Sequence, residues 1–135
     1  MLQVKDTLRS TVNLTFDGRV FKVYHGPKAQ ERFDNEIRIL KYLEERGCGF
    51  VPRLLEADPT LLRTITTNCG SRVEHLDAKR TQELFAELEQ FGVRHDDIDM
   101  RNVTYRQTDG RFCIIDFEFA SILPEPGSSA PDSAK

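Results

Sequence analysis

The chain predicts an α+β domain built on antiparallel strands. Two Asp-Gly pairs flanked by β-type residues mark hairpins, one near each end of the chain. Between them lie two segments with a helical apolar period and two short strand-like runs. The resulting order, β–β–α–β–β–α–loop–β–β, is not the βαβ alternation that makes a parallel sheet.

In the first hairpin, Asp17-Gly18 separates VNLTF (12–16) from RVFKVY (19–24). An Asp-Gly pair suits a type I′ turn, in which both central residues need positive φ. Gly26-Pro27 breaks the strand, and Pro27 suits the first turn of a helix. Phe33, Ile37, Leu40 and Leu43 then recur at helical spacing, and Gly47 supplies a stop, so a helix is predicted over 28–46. FVPRLLEA (50–57) and TLLRTIT (60–66) read as short strands separated by Asp58-Pro59, and Asn68-Cys69-Gly70 as a connector. Leu84, Leu88 and Phe91 share one face of a second helix, about 78–91, with Gly92 at its end. The charged loop RHDDIDMRN (94–102) leads into NVTYRQ and RFCIIDF, which flank the second pair, Asp109-Gly110.

With 135 residues, 39% hydrophobic and 30% charged, the chain has one domain's worth of core. The domain is expected over 1–122, with PEPGSSAPDSAK (124–135) the bulk of a disordered tail, 123–135. A formal charge of −3 leaves no broad basic surface, so no nucleic-acid partner is expected. No apolar run reaches the roughly 18–20 residues of a membrane span. The start, MLQVKDTLRST, lacks the apolar stretch of a signal peptide. Cys48, Cys69 and Cys113 are odd in number and form no CxxC, which predicts reduced thiols, a cytoplasmic setting and no zinc site.

The chemistry concentrates in His95–Asn102, HDDIDMRN, which fits H-x-D-apolar-x-x-x-N. Phosphoryl transfer needs a carboxylate for the nucleophile's proton and oxygen ligands that hold Mg²⁺ on nucleotide phosphates. Asp97 occupies the base position and Asn102 the metal position. Asp116, at the end of the apolar run CII, stands where a second metal ligand belongs, folded back by the hairpin. Upstream, Lys22 interrupts the apolar strand VFKVY, and Glu36 precedes Ile37 on the first helix. A lysine on that strand face is costly without a partner.

On these residues the chain resembles the protein-kinase-like superfamily, over roughly residues 6–122. It is closer to the small-molecule and atypical branch: aminoglycoside and choline phosphotransferases, lipopolysaccharide sugar kinases and Rio-type atypical kinases. IIDFEFA is similar to the metal-binding line of the choline and aminoglycoside enzymes, where Glu often replaces the final Gly. DTLRSTVNLTFDGRVFKVY resembles the opening of lipopolysaccharide-kinase-like proteins. The resemblance implies a kinase-like fold with an antiparallel N-lobe sheet (about 6–67), one long helix and a much reduced C-lobe (about 71–122). It implies ATP and Mg²⁺ as cofactors and a Lys22–Glu36 ion pair that places the lysine on phosphates. It puts the adenine against the connector at Thr66, Thr67 and Cys69.

The sequence departs from that pattern in three places. No G-x-G-x-x-G loop exists, so Ser10 and Thr11 are expected to cover the phosphates. Asp96, Asp97 and Asp99 crowd four residues, a repulsion that bound Mg²⁺ would relieve. After Asp116-Phe117-Glu118 there is no room for the helices that usually hold the acceptor. Two readings therefore stand: a minimal ATP-dependent phosphotransferase with an unidentified acceptor, or a pseudokinase that binds nucleotide without turnover. A second copy of the chain or a partner protein is expected over the reduced C-lobe.

Overall fold

The computed structural model describes residues 2–124, with side chains from Thr7 onward. Two helices pack with three antiparallel sheets in an α+β domain. The expected tail lies outside the described residues from 125 on.

The largest sheet has five strands: β1 (Leu2–Asp6), β2 (Ser10–Leu14), β3 (Arg19–Tyr24), β4 (Leu54–Asp58) and β5 (Arg63–Thr67). Their order across the sheet is β1-β2-β3-β5-β4. β1 lies ahead of the first strand that the sequence predicts, VNLTF (12–16). The β2–β3 turn also differs from the type I′ expectation, because only Gly18 has positive φ (82°). Thr15 N–H donates to Arg19 O at 2.9 Å and Gly18 N–H to Thr15 O at 3.1 Å. The loop is thus three residues long, with glycine alone in the left-handed position, which moves β2 two residues upstream. At the second Asp-Gly pair, Gly110 likewise carries the positive φ (66°) without Asp109.

Helix α1 (Ala29–Glu45) starts after Lys28, which is left-handed (φ 56°), so Pro27 lies ahead of the helix rather than in its first turn. Its C-terminus closes as the glycine predicts: Gly47 N–H reaches Glu44 O and Cys48 N–H reaches Leu43 O, both at 3.0 Å. Helix α2 (Ala78–Gln90) is capped by Asp77, whose carboxylate accepts from Arg80 N–H.

The remaining strands are short. β6 (Ser71–Arg72), β8 (Val103–Arg106) and β9 (Arg111–Ile114) form one sheet, and β7 (Val93–Arg94) pairs with β10 (Ser121–Ile122). One buried cluster packs the two helices against each other and against the short strands. It joins Ile39, Leu40 and Leu43 of α1 to Leu84, Phe85 and Leu88 of α2, and to Val103, Ile114 and Phe117 beneath them. No helix among the described residues is long and apolar enough to cross a membrane.

Gly70 (φ 94°) lets the connector lie on β8, since a Cβ there would stand 1.9 Å from Tyr105 O. Gly47 (φ 77°) faces open space. Gly47→Ala should therefore cost about 1 kcal/mol and Gly70→Ala at least twice that, read from urea midpoints. Burial pushes the Cys48 thiol up to about 11 from its ordinary 9.0. Stability resting on the neutral thiol is complete below the unfolded value and lost as pH climbs toward about 11. Urea titrations across that window should show a steeper alkaline decline for the native chain than for Cys48→Ala.

Candidate functional site

The site begins with a buried carboxylate. Glu36, in the middle of α1, accepts from Lys22 Nζ at 2.9 Å through Oε1 and from the Phe117 backbone N–H at 2.9 Å through Oε2. The Tyr24 hydroxyl also donates to Oε1. Lys22 Nζ stands 3.2 Å from Asp116 Oδ1 and 2.6 Å from Glu118 Oε2. Arg32, one helical turn before Glu36, meets Glu118 Oε1 at 2.7 Å. Two cations thus face three carboxylates, of which Asp116 is the most accessible, with its side chain 29% exposed.

Burial alone would depress the Lys22 ammonium, but Glu36, Asp116 and Glu118 outweigh it and hold it well above its usual range. Burial, reinforced by the Glu36 charge, pushes the Tyr24 hydroxyl well up. Arg32 also donates to Pro27 O, His25 O and Arg9 O, so it ties the turn before α1 to the start of β2.

Asp116 occupies the left-handed region (φ 75°), uncommon for a residue with a side chain but tolerated by Asp. The bond from the next residue's N–H to Glu36 holds it there.

His95 joins the charged loop to the strand that ends at Asp116. It is buried between Phe85 and Phe117, edge-on to both rings. Nε2 lies 2.9 Å from Ile115 O, and Nδ1 lies 3.0 Å from Asp97 N–H. A carbonyl can only accept and an amide can only donate, so these partners call for the neutral Nε2–H tautomer. Asn102, also buried, donates from Nδ2 to Asp97 O at 2.9 Å and to Asp97 Oδ2 at 3.1 Å. Arg101 grips the same carboxylate, with Nη2 2.7 Å from both oxygens and Nε 3.0 Å from Oδ2. Arg101 Nη1 is 3.4 Å from Asp99. The repulsion expected among the aspartates is therefore answered within the loop by an arginine.

Two adjoining cavities share Arg72 and Asp116. One, of about 410 Å³, takes Lys22, Glu36, Thr66, Thr67 and Cys69 in its lining, with Val12, Leu14, Val20 and Ile115 as apolar wall. The other, of about 540 Å³, is lined by Ser10, Asp97 and Asn102 under the turn at Leu8 and Arg9. The Ser10 hydroxyl is buried without a hydrogen-bond partner among the described residues. Thr11, the next residue on the strand, lines neither cavity and pairs with His25 Nε2 at 3.1 Å. All the other residues picked from the sequence line one cavity or the other.

Among the described residues no group of three or more His, Cys, Asp or Glu side chains could hold a metal ion. The chain matches no protein-family model and no curated protein.

Sequence reasoning overlooked Arg32, Tyr24 and Arg101, and saw Glu118 only as a replaced glycine. One signal was present: Arg32 and Glu36 stand four apart on the helix face that continues through Leu40 and Leu43, so both charges had to be buried together.

Lys22→Met leaves two buried carboxylates, Glu36 and Glu118, and the half-buried Asp116 around a missing ammonium, and should lower unfolding free energy by about 3–5 kcal/mol. Combined with Glu36→Gln, the loss should be clearly smaller than the sum of the two single losses, because both act on one network. Urea unfolding of the four chains measures this.

Proposed function

We propose that this chain is a minimal kinase-like phosphotransferase, binding Mg-ATP across the two joined cavities and passing the γ-phosphoryl group to an acceptor. The observation that carries the reading is the meeting of the cavities at Asp116. Lys22 and Glu36 lie on one side of it, Asp97 and Asn102 on the other. The apolar walls of the smaller cavity suit a base, beside Thr66, Thr67 and Cys69. Lys22, charged throughout the physiological range, suits the phosphates, and so does the unpartnered Ser10 hydroxyl.

Asn102 and Asp116 offer oxygen donors to the same cavity, Asp116 through a carboxylate. Such a donor set fits Mg²⁺, which keeps most of its waters and takes phosphate oxygens rather than an all-protein cage. Bound there, the ion would neutralise charge on the transferred phosphoryl group. Asp97 would accept the acceptor's hydroxyl proton, with its position set by His95 and Asn102. The family resemblance supports this reading through the same five residues: Lys22, Glu36, Asp97, Asn102 and Asp116.

One observation favours the pseudokinase reading: both Asp97 oxygens are engaged by Arg101, so the base is blocked as it stands. Both readings expect a second copy or a partner protein over exposed apolar side chains such as Ile98 and Phe119.

Mg-ATP at a hundredfold excess over its dissociation constant should stabilise the chain by about 2.7 kcal/mol in a thermal-shift assay. Asp116→Asn should weaken that stabilisation. Asp97→Asn should keep it while lowering phosphoryl transfer by about 10²–10⁴-fold. Absence of any shift at millimolar Mg-ATP would contradict both nucleotide readings.

A further inference from the structure

We propose that the larger cavity receives an anionic acceptor: a small molecule bearing a carboxylate or phosphate near its hydroxyl, gripped by Arg101 and Arg72. This rests on the reading of Asp97 as base and of the smaller cavity as the end of the nucleotide site that takes the adenine, with the phosphates reaching the border of the larger one. Arg101 occupies both Asp97 oxygens and stands between them and an incoming hydroxyl, so turnover requires Arg101 to let go. Arg101 is free to move, since its side chain is 59% exposed and its partners are the aspartates of its own loop. A second oxyanion of the same two-pronged geometry is the chemistry that competes for it.

The cavity supplies the rest of such a site. Arg72 lines it from β6, and its guanidinium forms no ion pair among the described residues. Arg9, stacked 5.4 Å over the Phe119 ring, lines it with its guanidinium likewise unpaired. Three guanidiniums thus line a cavity of about 540 Å³, and of these only Arg101 is ion-paired among the described residues, to Asp99 and to the carboxylate that must be freed. When the acceptor's anion takes Arg101, Asp97 keeps its bond to Asn102 Nδ2 and can take the hydroxyl proton. The hydroxyl oxygen bonds to the γ-phosphorus as the bond from that phosphorus to the β–γ bridging oxygen breaks. ADP leaves with that electron pair, and the proton passes from Asp97 to water. The anion therefore acts as the trigger, and a neutral alcohol leaves the base blocked.

The test uses inorganic phosphate as the probe, titrated by NMR into the ¹⁵N-labelled chain, with and without saturating Mg²⁺ and β,γ-imido-ATP. Nucleotide binding is read first, on its own. With nucleotide bound, phosphate should give saturable shifts at the Asp97 and Arg101 amides, and chloride at matched ionic strength should give none. Arg101→Gln should weaken phosphate binding about tenfold or more while leaving nucleotide affinity unchanged, and Arg72→Gln, on the border of both cavities, should weaken phosphate binding as well. Phosphate affinity that Arg101→Gln does not alter, or no saturable response up to tens of millimolar, overturns the proposal. Displacement of phosphate by the nucleotide overturns it too, because the arginines would then belong to the nucleotide's own phosphates. If the nucleotide itself does not bind, the phosphotransferase reading fails and the acceptor role with it. Arginine-dependent phosphate binding that survived would then mark only an anion site.

Discussion

The Glu36 carboxylate is the constraint on which the rest of this molecule depends. Its two oxygens tie a strand lysine, a strand tyrosine and the backbone after Asp116 to the middle of one helix. A carboxylate buried this deeply is tolerated only if every lone pair finds a donor, so the network admits little variation in geometry. That requirement fixes how α1 sits on the five-stranded sheet. It also sets where the last hairpin delivers Asp116, and it holds that residue in a backbone conformation it would not keep alone.

A second tie works through His95. Its ring bridges the Ile115 carbonyl and the Asp97 amide, and it is held edge-on between two phenylalanines. The charged loop and the strand end are therefore placed by one side chain, while the β8–β9 hairpin brings the chain back between them. Glu36 and His95 together bring into one pair of cavities residues that are nearly a hundred positions apart in sequence. The two helices, β7 and the β8–β9 hairpin share one buried core, which holds the charged loop and Asp116 against α1.

Much of this was legible in the residues themselves. The glycine stops, the apolar periods of both helices and the hairpins follow from local chemistry, which acts the same way in any surroundings. The turn types were not legible, because the hydrogen bonds of Thr15 decide whether Asp17 must adopt positive φ. Lys22 stood out because it interrupts an apolar strand. Arg32, Glu118 and Arg101 did not, because a charged side chain is read as solvated until its partner is known. Arg32 meets the Arg9 carbonyl and Glu118 meets Arg32 over distances that no local pattern records, whereas Arg101 meets Asp97 within its own loop. Thr11 shows the converse. It stands beside Ser10 in sequence, but alternation along β2 turns it toward His25 and away from the cavity.

The most direct measurement is a crystal structure with Mg²⁺ and a non-hydrolysable ATP analogue. The account predicts the base against Thr66 to Cys69, the phosphates beside Lys22, and the metal on Asn102 and Asp116, with the γ-phosphate facing Asp97. A nucleotide bound elsewhere, or one whose γ-phosphate points away from Asp97 into open solvent, would contradict it.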